Sequence, residues 1–206
     1  MIKTIIFDFG NIFINLDIEG AIKHTFKVLE IDNFSEEMLA FHNLYEQGLI
    51  STEEFIEFYS ENFPKLSTEE LISIWNYMLK DFPEYRLEFI QQLKKDGKYK
   101  LILLSNTNEL HINWIKEHVP FYEAFKKSFD AFYLSHEINL RKPDNQIFEF
   151  VLTQNNLKAA DCLFIDDNEF NCKTSKALGI NTWHLNPETE DVVDLFKIKN
   201  KLFKFE

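Results

Sequence analysis

Short, uninterrupted apolar runs recur along this chain and predict buried β-strands. The runs have the length of strands rather than of helices, and they lie at residues 3–7, 100–104, 129–134, 162–165 and 180–185. Apolar and polar residues do not alternate within them. This continuity indicates a parallel sheet whose two faces are both covered.

Helical patterns fill the sequence between these runs. They cover residues 84–95, which end at Asp96-Gly97, residues 143–155, which begin with a proline, and residues 168–178, which stop before Gly179. Strands that alternate with helices in this way are typical of a doubly wound α/β core.

The segment after the first strand differs from the rest, because it has amphipathic helical patterns, such as 52–62 and 68–80, and no convincing strand. Ser35, Ser51 and Ser67 each precede two glutamates and predict helix starts, and Asp17 is expected to cap the first helix. An insertion at this point lies over the carboxyl edge of the sheet, where ligands bind in α/β folds. We therefore predict a core of residues 1–17 and 83–206 and a small α-helical cap of residues 18–82.

Composition and charge restrict the classes of function. Of the 206 residues, 45% are hydrophobic, which is enough for a globular core. The net charge is −12 and Arg86 and Arg141 are the only arginines, so the sequence argues against binding to nucleic acid or to an anionic membrane. No apolar stretch approaches the roughly 20 residues of a membrane span, and Cys162 and Cys172 form no metal or redox motif. We expect a cytoplasmic protein; the basic and aromatic segment 197–206 receives no role.

Several common catalytic motifs are missing from the sequence. The five glycines have the spacing of neither a dinucleotide fingerprint nor a P-loop, no histidines form HExxH, and no serine lies in GxSxG. The chemistry is therefore expected from carboxylates and lysines.

Polar residues follow the predicted strands at the points where those strands end. Asp8 follows the first strand, Ser105 the second, and the pair Asp166-Asp167 a later one, while Lys142 lies in the loop before a helix. The carboxyl ends of parallel strands meet at one edge of a sheet, so these groups are expected to converge. Three carboxylates there need a hard cation such as Mg²⁺, and a carboxylate that attacks phosphorus forms an aspartyl-phosphate. The set predicts phosphoryl transfer.

Four ordered motifs resemble those of the haloacid dehalogenase-like hydrolases, and the resemblance spans nearly the whole chain. The motifs are FDFGN at residues 7–11, LSNTN at 104–108, RKPD at 141–144 and FIDD at 164–167. In addition, YEQGLIS at residues 45–51 resembles the helical cap of the branch that includes phosphatases of glucose 1-phosphate. The fold that this resemblance implies is a Rossmann-like core with an inserted cap.

The resemblance implies a role for each carboxylate. Asp8 would be the nucleophile and a ligand of Mg²⁺, and the backbone carbonyl of Gly10 would be a second ligand. Asp167 would bind the metal directly. Asp166 would act through a water molecule or pair with Lys142.

The resemblance also implies a phosphate-binding set. Ser105 and the backbone amide of Asn106 would bind phosphate oxygens. Lys142 would offset negative charge on both the nucleophile and the phosphoryl group.

The chain departs from the family pattern at position 10. Most phosphatases of this family have an aspartate there that protonates the leaving group and later activates water, whereas this chain has Gly10. General acid–base catalysis contributes on the order of 10² to 10⁴ in rate. A good leaving group, a water molecule or a cap residue would have to compensate, and His42 and Glu46 are the candidate proton donors and substrate contacts.

The preferred interpretation is a Mg²⁺-dependent phosphatase acting on a small phosphorylated metabolite such as a sugar phosphate. One alternative is a 2-haloacid dehalogenase, in which Asp8 would attack carbon; that branch needs no metal, and the Asp166-Asp167 pair speaks against it. The other alternative, motivated by Gly10, is a phosphate-binding protein with little turnover.

Overall fold

The computed structural model describes residues 1–203 and has a five-stranded parallel sheet at its centre. The strands are β1 (Thr4–Phe7), β2 (Lys100–Ser105), β3 (Ala131–Leu134), β4 (Cys162–Asp166) and β5 (Asn181–His184). Every neighbouring pair is parallel. The predicted doubly wound α/β core is thereby confirmed, and the last three residues of segment 197–206 lie outside the described residues.

The strand order is β3-β2-β1-β4-β5. The chain runs from β1 outward through β2 to β3 and then returns to the other side of β1 to form β4 and β5. The direction of winding therefore reverses next to β1. In open α/β sheets the ligand crevice lies at this reversal, outside the carboxyl ends of the strands.

Four helices lie between β1 and the rest of the core: α1 (Ile18–Leu29), α2 (Glu36–Glu46), α3 (Thr52–Asn62) and α4 (Thr68–Asn76). Asp17, Ser35, Ser51 and Ser67 cap them as predicted, and the last two form reciprocal capping boxes with glutamates three residues later. The helical pattern 68–80 predicted a longer α4. Its last apolar residues instead leave the helix, and Leu79 is buried against the core.

The other helices are α5 (Glu84–Asp96), α6 (Glu109–His118), α7 (Tyr122–Lys127), α8 (Ser135–Ile138), α9 (Asn145–Gln154), α10 (Glu169–Ala177) and α11 (Leu195–Ile198). Short 3₁₀ turns occupy Ala159–Asp161, Val192–Asp194 and Asn200–Leu202. None of the described helices has the length and apolarity that crossing a membrane requires.

Helices cover both faces of the sheet, and successive side chains of a strand point to opposite faces. In β1, Ile5 and Phe7 pack in one cluster with residues of α5, α6, α7 and α11, whereas Ile6 packs in a second cluster with residues of α9. This arrangement explains the uninterrupted apolar runs of the sequence.

The chain crosses between the core and helices α1–α4 twice, and the two crossings pair with each other. Leu16 and Leu79 form an antiparallel bridge, and the backbone N–H of Asn15 donates to the carbonyl oxygen of Asp81 at 2.9 Å. Arg86 of α5 holds the same region, since it donates to the carbonyl oxygen of Phe13 at 3.2 Å. These contacts fix the two crossing segments to each other and to α5.

Candidate active site

The turn after β1 fixes the position of Asp8. The backbone N–H of Asp8 donates to the carbonyl oxygen of Ile165 at 2.9 Å, so this residue is still held in the sheet. Three residues later Asn11 takes a left-handed conformation with φ of 53°, and its N–H donates to Ile14 at 2.7 Å. The Asp8 side chain is buried at the edge where the sheet ends.

The end of β4 supplies two further carboxylates. Asp166 is fully buried and accepts hydrogen bonds from the backbone N–H of Asn168 at 2.7 Å and from the Asn171 side chain at 3.0 and 3.1 Å. Asp167 lies half-buried beside it and accepts from the Asn11 side chain at 2.8 Å. The turns after β1 and β4 are thereby tied together.

Lys142 joins the two strand ends. Its Nζ lies 2.7 Å from Asp8 Oδ1 and 2.6 Å from Asp166 Oδ2, and the side chain is 1% exposed. The Asn106 side chain fixes the lysine backbone with two hydrogen bonds of 2.8 Å, accepting from its N–H and donating to its carbonyl oxygen. The ammonium group therefore has a defined position between the two carboxylates.

The segment after β2 completes the edge. Ser105, the last residue of β2, is buried, and its hydroxyl donates to the carbonyl oxygen of Asn106 at 3.3 Å. Ser135 fixes the next residue, because its hydroxyl accepts from the N–H of Thr107 and donates to the Thr107 carbonyl oxygen, both at 2.9 Å. Ser105 and the backbone groups that follow it thus lie at the same edge of the sheet as Asp8 and Asp166.

Burial and charge crowding shift the pKa values at this edge. Burial raises the pKa of Asp8 against the opposing charge of Lys142, and the carboxylates of Asp166 and Asp167 add to the rise. For Lys142, burial alone would lower the pKa, but the two carboxylates outweigh it and the net shift is upward. The lysine is therefore protonated, and it is one ammonium group among three carboxyl groups.

The carboxylates fit a divalent cation. One oxygen each of Asp8, Asp166 and Asp167 lies within 4.8 Å of the others. Asp166 already accepts from Lys142 and Asn171, whereas Asp8 uses only Oδ1 for the lysine and Asp167 only Oδ2 for Asn11. Mg²⁺ prefers a few carboxylate or carbonyl oxygens together with water, so Asp8 and Asp167 are suited as its direct ligands.

A leucine occupies the space beside Gly10. A Cβ atom at position 10 would lie 2.6 Å from Cδ1 of Leu16, closer than two carbon atoms can approach. Gly10 and Leu16 line a small cavity of about 90 Å³ together with Ser105 and Asn106. An aspartate at position 10 would therefore require the Leu16 side chain to move.

The two candidate cap residues lie at different depths. His42 lines a larger cavity inside helices α1–α4 and is hydrogen-bonded through Nε2 to the hydroxyl of Tyr59 at 2.6 Å. Glu46 lines both this cavity and the small one beside Gly10, and its Oε2 accepts from Arg141 at 2.8 Å. Only Glu46 borders the catalytic edge directly.

The sequence interpretation assigned no role to several residues that organise this site. Asn11 and Asn171 hold Asp167 and Asp166, and the Asn106 side chain holds Lys142. Asn171 offered a signal, because it lies in the first turn of the helix that follows Asp166. The bond between Asn11 and Asp167 spans 156 positions, so no local pattern indicates it.

Comparison with known proteins gives consistent matches over most of the chain. A family model described as haloacid dehalogenase-like hydrolase matches residues 2–179. A D-ribitol-5-phosphate phosphatase of Bacteroides thetaiotaomicron is 28% identical over 194 residues, which is 89% of this chain and 91% of that protein.

Solved structures agree with this match. A haloacid dehalogenase family enzyme of Bacteroides thetaiotaomicron, crystallised with magnesium and inorganic phosphate, has a TM-score of 0.82 and 35% identity over 95% of this chain and 100% of its own. A hydrolase of the same family type from Porphyromonas gingivalis has a TM-score of 0.83 and 27% identity over the full length of both chains. The sheet order, the four motifs at its carboxyl edge and these matches agree: the chain belongs to the haloacid dehalogenase-like hydrolases.

Proposed function

We propose that this protein is a Mg²⁺-dependent phosphatase that hydrolyses a small phosphorylated metabolite through an aspartyl-phosphate on Asp8. The observation that carries the proposal is the cluster of Asp8, Asp166 and Asp167, in which the Lys142 ammonium pairs with Asp8 and Asp166. Its support includes the named phosphatase relative and the similar enzyme crystallised with magnesium and phosphate. Sugar and polyol phosphates are the first compounds to test.

In the first step, an oxygen of the Asp8 carboxylate forms a bond to phosphorus while the bond between phosphorus and the ester oxygen breaks. Lys142 donates to Asp8 Oδ1 at 2.7 Å and thereby fixes the orientation of the carboxylate for attack. The hydroxyl of Ser105 and the backbone amide of Asn106 are assigned to the phosphoryl oxygens. Water then attacks phosphorus, inorganic phosphate leaves, and the Asp8 carboxylate is restored.

Asp8, Asp167 and the backbone carbonyl of Gly10 would hold the Mg²⁺ ion. When bound, the ion offsets the charge of the carboxylates and polarises the phosphate oxygens. Asp166 pairs with Lys142 and accepts from Asn171, so its assigned role is to position the lysine.

The proton for the leaving group needs a source other than position 10. Glu46 lines the same small cavity as Gly10, but its Oε2 accepts from Arg141 at 2.8 Å, which favours the carboxylate form. Water in that cavity is therefore assigned as the proton source. Burial lowers the pKa of His42 to about 4, so its ring is neutral at neutral pH and has no acidic proton to supply. His42 and Glu46 are the candidate substrate contacts within a cap formed by residues 18–82.

The two alternatives predict different behaviour. A 2-haloacid dehalogenase would use Asp8 to attack carbon without a metal, and the crowding of three carboxylates would then be left without compensation. A phosphate-binding protein with little turnover would keep the cluster and the metal but release no phosphate.

The test is phosphate release from acetyl phosphate, p-nitrophenyl phosphate and a set of sugar phosphates, with Mg²⁺ and with EDTA. Asp8→Asn preserves the shape of the side chain and removes the nucleophile, so we expect turnover to fall at least about a thousandfold. Asp32→Asn, in the exposed segment between α1 and α2, is the matched control.

Activity that survives in Asp8→Asn or in EDTA would contradict the proposed mechanism. Halide release from 2-chloropropionate in EDTA would support the dehalogenase instead. Binding of Mg²⁺ and phosphate by a wild-type protein that releases no phosphate from any substrate would support the binding protein.

A further inference from the structure

The interior of helices α1–α4 contains a cavity of about 210 Å³ that we call the cap cavity. Its walls are mainly apolar and aromatic and include Phe34, Tyr45, Phe55, Ile74, Trp75 and Met78. An apolar cavity of about 150 Å³ is enough for a benzene ring. The cap cavity can therefore hold a group of that size.

The cap cavity adjoins the small cavity at the carboxyl edge of the sheet. Glu46, Met78 and His111 line both it and the cavity of about 90 Å³ that Gly10 and Ser105 border. A phosphate monoester held at Ser105 would thus direct its organic part past these three shared residues and into the cap cavity.

The polar groups in one part of the cap-cavity wall already have partners in the protein. His42 Nε2 and the hydroxyl of Tyr59 are hydrogen-bonded at 2.6 Å. The Tyr45 hydroxyl accepts from the backbone N–H of Leu110 at 3.1 Å and lies 2.8 Å from the hydroxyl oxygen of Thr52. His42 and Tyr45 contribute rings to the cavity while these polar atoms are engaged with other residues.

Polar groups at the start of α6, on another side of the cap cavity, also have hydrogen-bond partners in the protein. His111 Nε2 donates to the carbonyl oxygen of Trp75 at 3.0 Å, and its Nδ1 lies 3.3 Å from the side-chain nitrogen of Asn108. Asn108 Oδ1 caps α6 by accepting from the N–H of His111 at 3.0 Å. Burial lowers the pKa of His111 to about 4, which keeps the ring neutral and matches this pattern of one donated and one accepted bond.

The indole Nε1 of Trp75 is buried in this wall without a hydrogen-bond partner among the described residues, so the cavity offers one free donor. A polyol chain would still be a poor occupant, because its other buried hydroxyls would lack partners and each would carry a free-energy cost. An apolar ring or branched alkyl group has no such requirement, and burying it is favourable. We propose that the preferred substrates are phosphate monoesters whose organic group is a small apolar ring or branched chain, bound in the cap cavity. This proposal rests on the proposed phosphatase function and assigns its substrate class.

The test compares two primary alkyl phosphates with similar leaving groups, 2-phenylethyl phosphate and D-ribitol 5-phosphate, so that the missing acid at position 10 affects both alike. We expect kcat/KM to be at least about tenfold higher for 2-phenylethyl phosphate. An equal or higher value for D-ribitol 5-phosphate would overturn the assignment. Acetyl phosphate, which is too small to fill the cap cavity, reports the chemistry of Asp8 separately.

A cavity-filling variant locates the effect. Ala21→Phe places a ring in the wall of the cap cavity, and we expect it to lower kcat/KM for 2-phenylethyl phosphate at least tenfold more than that for acetyl phosphate. Ala40→Phe makes the same change at an exposed position of α2 and is the matched control. Parallel losses on both substrates in Ala21→Phe would contradict binding in the cap cavity.

Binding to the Asp8→Asn protein supplies a readout that does not need turnover. Calorimetry with 3-phenylpropylphosphonate should show binding with a negative heat-capacity change, the signature of apolar burial, and Ala21→Phe should weaken it at least tenfold. Failure of the wild-type protein to hydrolyse acetyl phosphate, with this binding intact, would reject the phosphatase and keep the cap-cavity assignment. Hydrolysis of acetyl phosphate without this binding would support the phosphatase and reject the cap-cavity assignment.

Discussion

The carboxyl edge of the sheet and the interior of the helical cap satisfy their polar groups in opposite ways. At the edge, Asp8 and Asp166 share the ammonium of Lys142, and Asp167 adds a third carboxyl group beside them. In the cap interior, the rings of His42 and His111 are kept neutral, and His42 Nε2 and both nitrogens of His111 are hydrogen-bonded within the protein. The two regions meet at the small cavity beside Gly10.

This contrast separates two requirements of catalysis. Chemistry at phosphorus needs charged groups held in place before the substrate and the cation arrive, which costs stability. Selection of an organic group needs shape and apolar surface, which stabilise the fold even when no ligand is present. The carboxyl edge is therefore expected to be sensitive to the loss of a charged group, and the cap interior to the gain of one.

The largest effect is expected at the sheet edge. Lys142→Met removes the ammonium but leaves Asp8 and Asp166 buried, so the free energy of unfolding should fall by about 3–5 kcal/mol and phosphate release should be lost. Urea denaturation without Mg²⁺ measures the first and a phosphate assay the second. Lys3→Met, which removes the exposed partner of Asp161, should cost far less. Equal losses in the two variants would show that the buried ion pairs of Lys142 contribute no more to stability than the exposed pair of Lys3.

The next effect tests the cap interior with pH. The folded-state pKa of His42 is about 4, against 6.5 without burial, so the unfolded state binds more protons between these values. The contribution of His42 to the free energy of unfolding is fully present above about pH 6.5. It is lost as the pH falls, by about 2–3 kcal/mol at about pH 4.5. Urea denaturation at about pH 7 and 4.5 measures this loss. Between these two pH values, His42→Gln should lose less free energy of unfolding than the wild type, and the difference should equal that amount.

The matched control for this pH experiment is His118→Gln, since the side chain of His118 is exposed at the end of α6. Its pH dependence should follow that of the wild type. Equal pH dependence of wild type and His42→Gln would mean that the cap interior tolerates the charged ring.

The smallest effect is expected where the two regions meet. Gly10→Asp restores the acid of the family pattern, but its Cβ would clash with Leu16, so the change should succeed only together with Leu16→Ala. We expect the double variant to hydrolyse alkyl phosphates at least about tenfold faster than Leu16→Ala alone, because a poor leaving group needs a proton. Acetyl phosphate, with a good leaving group, should gain less. A gain of equal size on both compounds would argue against a missing acid, and no gain would identify position 10 as dispensable.

Local patterns were sufficient for much of the fold. The uninterrupted run around Ile5 indicated a strand buried on both faces, and the serines at 35, 51 and 67 marked helix starts, because strand burial and capping depend on near neighbours. The end of α4 was misplaced. The apolar pattern continued past Asn76 because Leu79 is buried, but it is buried against the core and not within a helix.

The sequence predicted which candidate residues converge at the sheet edge better than it predicted the bonds between them. The motifs containing Asp8, Ser105, Lys142 and the Asp166-Asp167 pair named the residues that the fold brings to one edge. The bond that holds the Lys142 backbone to Asn106, and the ion pair between Arg141 and Glu46, were absent from that account. No spacing rule connects such positions, since each pair is distant in the chain.

By itself, the sequence determined the order of strands and helices, the four motifs and the missing acid at position 10, because each is a local property of the chain. The sequence left open whether Asp166 pairs with Lys142 or acts through water, and tertiary structure decided for the pair, with the Lys142 ammonium between Asp8 and Asp166. Tertiary structure alone decided that Leu16 fills the space beside Gly10 and that rings of the cap line a cavity. The reason is physical. Lys142 lies 134 positions from Asp8, so their contact exists only after the sheet has formed.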